Sequence, residues 1–320
     1  MNLFKSMLHT KPPSLLSLKA ASIKTSNSKT SKRPKRFNAR LFPYVSTVFV
    51  IAFSAQAIAD QSAWTLMWSD EFEYQGLPDK AKWGYEEGFV RNQELQYYTR
   101  ARKKNVRVEN GTLIIEAHKE SLTNKDYLKS APLDDWQKSR KTSNYTSAAI
   151  TTQGRASWTY GRVEVKAKLP KGRGIWPAIW MLGLNMNEVG WPQCGEIDIM
   201  ENVGFDPNVI HTTVHTSKFN HTLGTQLGEQ STVIDPHNTY HLYGIEWFPE
   251  RIDFFVDNNK VFTFSNDGSG EQAWPFFAPQ YLLLNVAIGG GWGGQQGVDP
   301  LIFPQKMTID YVRVYQQTSQ

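Results

Sequence analysis

The sequence predicts an all-β domain, a sandwich or a barrel, and three observations carry that prediction. Short stretches of alternating apolar and polar residues recur along the chain beyond residue 60, and a period of two marks a half-buried strand. Gly, Pro and Asn punctuate these stretches where turns are needed. No long segment carries a convincing 3.6-residue apolar period, so helices have little part in the core.

Residues 1–59 stand apart from this pattern. They hold ten Lys/Arg and no Asp or Glu, which leaves 25 basic against 30 acidic residues from Asp60 onward. The sequence pI near 9.0 therefore belongs to the leader, and the body carries about −5. An acidic body gives no reason to expect nucleic acid as a partner. A basic run, Lys32 to Arg40, precedes an apolar stretch, Leu41 to Phe53, and then Ala55, Ala57 and Ala59. That order is a secretory signal, cut after Ala57 or Ala59. The apolar stretch is too short for a membrane span, which needs about 20 residues. The expectation is a secreted or periplasmic monomer, without a stable membrane partner, whose single domain covers residues 60–320. Cys194 is the one cysteine, so neither an internal disulfide nor a Cys-rich metal site is available.

In chain order, Val106 to Ala117 alternates on both sides of Asn110-Gly111, a hairpin signal. Residues 118–146 are polar and aperiodic and read as a long surface loop. Arg162 to Leu169 alternates for eight residues. Glu246 to Asp257 leads through Asn258-Asn259 into Val261 to Phe264, a further hairpin. Gln280 to Ile288 and Met307 to Tyr315 are two more strands.

The chemistry concentrates between Trp191 and Gly204, where Glu196-Ile-Asp198-Ile-Met-Glu201 begins in strict alternation. In a regular strand Glu196 and Asp198 share a face and Glu201 points the other way. A one-residue bulge near Ile199-Met200 restores Glu201 to the same face, and bulges re-aim side chains beside active sites. Three acids on one face suit retaining glycoside hydrolysis, in which one carboxylate attacks and the other donates a proton. A solvated strand face or a Ca²⁺ or Mg²⁺ site would use the same residue types. The flanking Trp191, Ile and Met residues are a poor match to an open surface, and such metal sites more often draw on loops.

At these residues the sequence resembles glycoside hydrolase family 16, in its laminarinase-like branch with Glu-x-Asp-x-x-Glu. The resemblance extends over Trp68 to Phe72, Asn92 to Tyr98, Tyr160 to Glu164, Leu169 to Gly172, Gly174 to Leu182, His211 to His215, Tyr243 to Trp247, Asn285 to Gly290 and Asp310 to Tyr315. It implies a concanavalin-like jelly-roll β-sandwich with a concave cleft. It makes Glu196 the nucleophile, Glu201 the acid/base and Asp198 the assisting acid. Asn92, Trp176, Trp180, Trp191, His215 and Trp292 are then the candidate sugar contacts, the tryptophans as stacking platforms and His215 near the acid/base. Catalysis needs no cofactor. A structural calcium on the convex side would take Glu71, the Gly111 carbonyl and Asp310. One departure is that Tyr145-Thr-Ser-Ala-Ala149 lacks the Arg many relatives carry there.

The substrate this implies is β-1,3-glucan of the laminarin type, with mixed-linkage β-1,3-1,4-glucan as a side activity. The competing readings are a galactan hydrolase of the agarase or carrageenase kind, a transglycosylase, and a non-catalytic β-glucan-binding protein. The cleft motifs hold few of the Arg and Lys residues that sulfated galactans call for, and the binding proteins lack the two Glu residues. His211 and His215 have the i, i+4 spacing of a zinc site. They lie on a Thr/Val stretch that reads as a strand, without the companion Glu, and are not expected to bind metal.

Overall fold

The computed structural model describes residues 64–317; the expected leader lies outside them. The chain begins with β1 (Trp64–Asp70), β2 (Gly84–Tyr85), β3 (Gln96–Tyr98), β4 (Val106–Glu109) and β5 (Thr112–Thr123). A single helical turn, α1 (Trp136–Ser139), precedes β6 (Thr142–Ser147), β7 (Ala149–Thr151), β8 (Gly161–Lys168) and β9 (Ile175–Gly183). A second turn, α2 (Met186–Val189), leads to β10 (Glu196–Glu201), β11 (Val209–His215), β12 (Leu227–Thr232) and β13 (His241–Trp247). The last strands are β14 (Arg251–Val256), β15 (Asn259–Ser265), β16 (Gln280–Ile288) and β17 (Gln305–Gln317).

Two sheets result. One runs β15-β14-β13-β8-β17-β5-β6-β3, with β1 added against β17 and β4 against β5; the other runs β12-β11-β10-β9-β16-β7-β2. Alternation sorts each strand into an inner and an outer face. Val163, Val165 and Ala167 of β8 meet Ile179, Met181, Leu282, Leu284 and Val286 of β9 and β16 in one buried cluster. The all-β sandwich expected from the sequence is the fold observed. Among the described residues no helix is long and apolar enough to cross a membrane.

The hairpins follow their turn residues. Asn110 and Gly111 both take positive φ (54° and 73°) between β4 and β5, as a two-residue mirror-image turn requires. The β14–β15 turn is Asp257-Asn258, at φ 50° and 64°, one residue earlier than expected, and Asn259 already pairs with Val256. The expected loop over 118–146 is a correction. β5 runs on to Thr123, and β6 pairs antiparallel with it and parallel with β3. The buried side of β6 is polar: Ser143, Thr146 and Ser147 are covered. Ser143 donates to the Leu95 carbonyl (2.8 Å), and Thr146 accepts from Asn105 Nδ2 (3.0 Å). A strand whose covered face is held by hydrogen bonds leaves no hydrophobic alternation to read.

Candidate active site

β10 lies between β9 and β11, and its register places the acids. Glu196 pairs with Leu182 on one side and His215 on the other; Asp198 pairs with Trp180 and Thr213. The register then slips, and Met200 pairs with Ile179 while Glu201 pairs with Ala178 and His211. Ile199 and Met200 both enter the core, which is the two-against-one count of a β-bulge. Without it Glu201 would point into that core, where an ionised carboxylate is prohibitively costly. With it, Glu196, Asp198 and Glu201 share the outer face of the seven-stranded sheet.

Each Glu is held by an indole. Trp191 Nε1 donates to Glu196 Oε2 (2.9 Å), and Trp176 Nε1 donates to Glu201 Oε1 (3.0 Å). Asp198 is buried between them, with Oδ2 3.4 Å from His215 Nε2. Burial and the neighbouring charge of His221 lower His215 to about 4. At neutral pH it is therefore an uncharged neighbour of the acids rather than an ion-pair partner.

Burial sets the protonation states. Loss of hydration, together with the charges of Glu196 and Glu201, raises Asp198 well above the usual carboxylate range. Asp198 thus keeps a proton and donates it to Glu196. Desolvation also raises Glu196, to about 7, against the Arg91 charge, the Trp191 N–H and the Asp198 hydrogen bond. Glu201 rises further, to about 8, through desolvation and the Glu196 charge, opposed by the Trp176 N–H and reinforced by Glu94. The difference has a stated origin: three stabilisers act on the Glu196 anion and one on the Glu201 anion.

The remaining expected contacts divide. Trp176 and Trp191 are half-buried and serve the acids through their N–H groups. Trp292 is half-buried beside them, edge-on to Trp176 (5.5 Å) and His211 (4.8 Å). Trp180 is only 6% exposed; its N–H donates to Asn285 Oδ1 (2.8 Å), and the Arg91 guanidinium lies 4.9 Å over its ring. It is a floor residue and no open platform. Asn92 is exposed at φ 55°, and its carbonyl accepts from Gly291 N (3.0 Å). That contact ties the Gly289–Gly294 loop to the same edge of the site. Gly290 has φ 76°, and a Cβ there would sit 3.0 Å from Glu94 Cγ and 3.1 Å from the Asn92 carbonyl. His215 is a correction: it lies not beside Glu201, as expected, but at the Glu196 end of β10, and His211 occupies the Glu201 end because the strand register pairs it there.

Sequence reasoning missed Arg91 and Glu94. Glu94 is 3% exposed and accepts from Gln96 Nε2 (2.6 Å), Asn92 Nδ2 (3.3 Å) and Tyr98 OH (3.3 Å). Arg91 pairs with Glu86. The available signal was position: one sits inside the Asn92–Tyr98 segment and the other directly before it.

The expected calcium ligands do not form a site as arranged. Glu71 is bound at both oxygens by Arg313 (3.0 and 2.8 Å), and Asp310 pairs with Lys166 (2.9 Å). With the Gly111 carbonyl that is three oxygens, two already engaged by cations, against the six to eight that calcium takes. Among the described residues, acids and a histidine converge as a potential metal-binding group at Glu196, Asp198 and His215. That group is part of the acid face itself, where burial favours a proton on Asp198.

Residues 93–313 match the sequence pattern of glycosyl hydrolases family 16. The chain is 50% identical over 261 residues to a β-glucanase of Rhodothermus marinus, an alignment covering 79% of this chain and 85% of that one. It is 34% identical over 275 residues to a glucan endo-1,3-β-glucosidase of Cryptopygus antarcticus, covering 82% and 92%. The solved laminarinase structure from Rhodothermus marinus superimposes with a TM-score of 0.73 at 49% identity, over 80% of this chain and 99% of that one.

Proposed function

The chain belongs to glycosyl hydrolase family 16, and from that premise we propose that it is an endo-acting hydrolase of β-1,3-glucan working with retention of configuration. One observation carries the reading. The bulge in β10 turns Glu201 onto the face of Glu196 and Asp198, and each Glu receives an indole N–H. The β-1,3 linkage and the endo mode rest on what similar proteins are named for. Mixed-linkage glucan is the expected side substrate.

In this reading Glu196 attacks the anomeric carbon while Glu201 protonates the departing oxygen, giving a covalent glycosyl-enzyme. Glu201 then removes a proton from water, which attacks the same carbon and regenerates Glu196. The step needs Glu196 ionised while Glu201 keeps its proton. The three stabilisers of the Glu196 anion and the extra negative charge around Glu201 favour that order. Asp198 donates its hydrogen bond to Glu196 before attack. Neutral His215 packs beside Glu196 and Asp198 without adding charge. Trp292 and the Asn92 edge lie where neighbouring sugar rings would contact the site.

The deciding experiment is to incubate the protein with laminarin, lichenan, agarose and carrageenan and identify the products. Laminari-oligosaccharides of several lengths released early from laminarin, with slower release from lichenan, support the reading. Cleavage of the galactans alone would sink it. We also propose export with removal of the leader near Ala59. N-terminal sequencing of extracellular protein should begin at Ile58 or Asp60, and an intact Met1 would refute it.

A further inference from the structure

We propose that the outer face of the ten-stranded sheet carries a second binding site, for a sugar bearing an oxyanion such as a sulfate ester or a carboxylate. A cavity of about 380 Å³ opens there, walled by residues 168–171, His237 and the start of β17. Its size falls within the range of about 300–1,000 Å³ usual for small-ligand sites and exceeds what a lone inorganic anion fills. Alternation dictates which side chains face it. Met307 and Ile309 of β17 enter the core, so Lys306 and Thr308 point outward, and Thr308 lies opposite Lys168 across the β17–β8 pair.

Charge and hydrogen bonding then specify the ligand. Arg107 is neutralised by Glu109 (2.8 Å) and Glu116 (2.7 Å). Glu116 is the one acid in the lining and also stands opposite Lys306 across the β17–β5 pair. Arg107, Lys168, Lys171 and Lys306 set against Glu109 and Glu116 leave two positive charges in excess on a body that is acidic as a whole. Lys168 also rests over the Tyr240 ring at 5.1 Å, which keeps it at the wall. Thr308 is 6% exposed, and its hydroxyl has no hydrogen-bond partner. Neither ring nitrogen of His237 has one. A covered hydroxyl without a partner is destabilising, and a ligand oxygen would recover that loss. A net excess of positive charge around unpaired polar groups calls for an anion, and the remaining volume calls for the ring that carries it. The neutral glucan proposed for the acid face supplies the ring but not the anion. This site therefore serves a charged glycan that holds the enzyme, separate from the chain it cuts.

The test is titration calorimetry on the full chain carrying Glu196→Gln, so that laminaritriose can saturate the acid face without being cut. The probes are a sulfated carrageenan disaccharide, a galacturonate disaccharide, inorganic sulfate, inorganic phosphate and neutral laminaribiose. At least one charged disaccharide should bind saturably, weaken with added salt, and outcompete the inorganic ions; which one binds distinguishes sulfate ester from carboxylate. The variant Lys168→Ala/Lys171→Ala/Lys306→Ala should weaken that binding about tenfold or more and, made in the active chain, leave laminarin hydrolysis unchanged. Thr308→Val, which removes the hydroxyl without altering charge, should weaken it less. The proposal is overturned if neither charged sugar binds more tightly than laminaribiose, or if the triple-lysine variant binds like the parent. Inorganic sulfate or phosphate binding as tightly as the disaccharides would overturn the sugar assignment.

Discussion

On the ten-stranded sheet Glu164 and Glu246 meet Arg162, Asp253 meets Arg251 and Lys260, and Glu120 meets Arg102 and Lys104. On the outer face of the seven-stranded sheet Glu196, Asp198 and Glu201 meet one another, two indoles and an uncharged imidazole. The same side-chain chemistry is therefore driven in opposite directions. For Glu120, burial is outweighed by Arg102, Lys104 and Thr146, and its pKa falls to about 2. For Asp253, burial is outweighed by Thr263, Arg251 and Lys260. On the seven-stranded sheet the Arg91 charge does not outweigh burial, and the acids rise. Acids answered by cations hold the sandwich together; acids left to share protons are poised to exchange them.

Exchanging one residue from each sheet tests that division with the largest effect. Glu196→Gln keeps the Trp191 contact and removes the nucleophile. Laminarin hydrolysis should fall on the order of 10⁴-fold or more, with the melting temperature held or raised. Asp253→Asn should do the reverse, leaving kcat intact and lowering stability by about 1–3 kcal/mol through its lost charge pairings with Arg251 and Lys260. An inactive Asp253→Asn, or an unfolded Glu196→Gln, would break the comparison.

Removing the proton donor should cost less. Glu201→Ala is expected to lose roughly 10²- to 10⁴-fold on laminarin, and much less on an aryl glucoside whose leaving group needs no proton. Added azide should restore turnover and yield a β-glycosyl azide, because two inversions give net retention. Product analysis by proton NMR that finds the α-azide would exclude the covalent route.

The indoles offer a finer probe. Each N–H stabilises a carboxylate anion, so its loss raises that acid's pKa. Trp191→Phe should move the ascending limb of the pH–activity curve, near 7, upward and cost about tenfold at pH 6. Trp176→Phe should move the descending limb, near 8, upward and cost little at that pH. Equal losses at pH 6 would mean that the indoles act on the acids only through packing.

The acids and their bulge were legible because Glu201 breaks the parity of an otherwise regular strand, and parity is a local property of the sequence. The sandwich was legible for the same reason: β4, β5, β8, β16 and β17 each declare an apolar face. β6 did not, because its covered side is polar. The indole donors did not either. Trp176 reaches Glu201 across 25 residues of chain, and nothing in its neighbourhood separates a donor from a stacking platform. Arg91 and Glu94 act on the acids by charge across space, from the segment before β3, and no local pattern in the sequence marks that.

The smallest effect is the pH dependence of stability, where the two sheets should show opposite signs. Glu196 and Glu201 bind protons more tightly folded than unfolded, so their contribution is fully present below the ordinary carboxylate value of 4.5. It is lost as pH rises through about 7 and 8. Glu120 and Asp253 bind protons less tightly folded, so their contribution is present above the ordinary values of 4.5 and 3.8. It is lost as pH falls, for Glu120 through about 2. Glu196→Gln/Glu201→Gln should therefore raise the melting temperature at pH 8.5 and leave it near parental at pH 4. The gain expected from relieving the desolvated charges is about 1–3 kcal/mol, or a few degrees for a domain of this size. Asp253→Asn should lower it at pH 8.5, with the deficit shrinking below pH 4. Thermal melts of the three proteins across that range decide the matter. Parallel curves would show that the acids of the seven-stranded sheet are solvated like any others, and the proton order assigned to Glu196 and Glu201 would lose its physical basis.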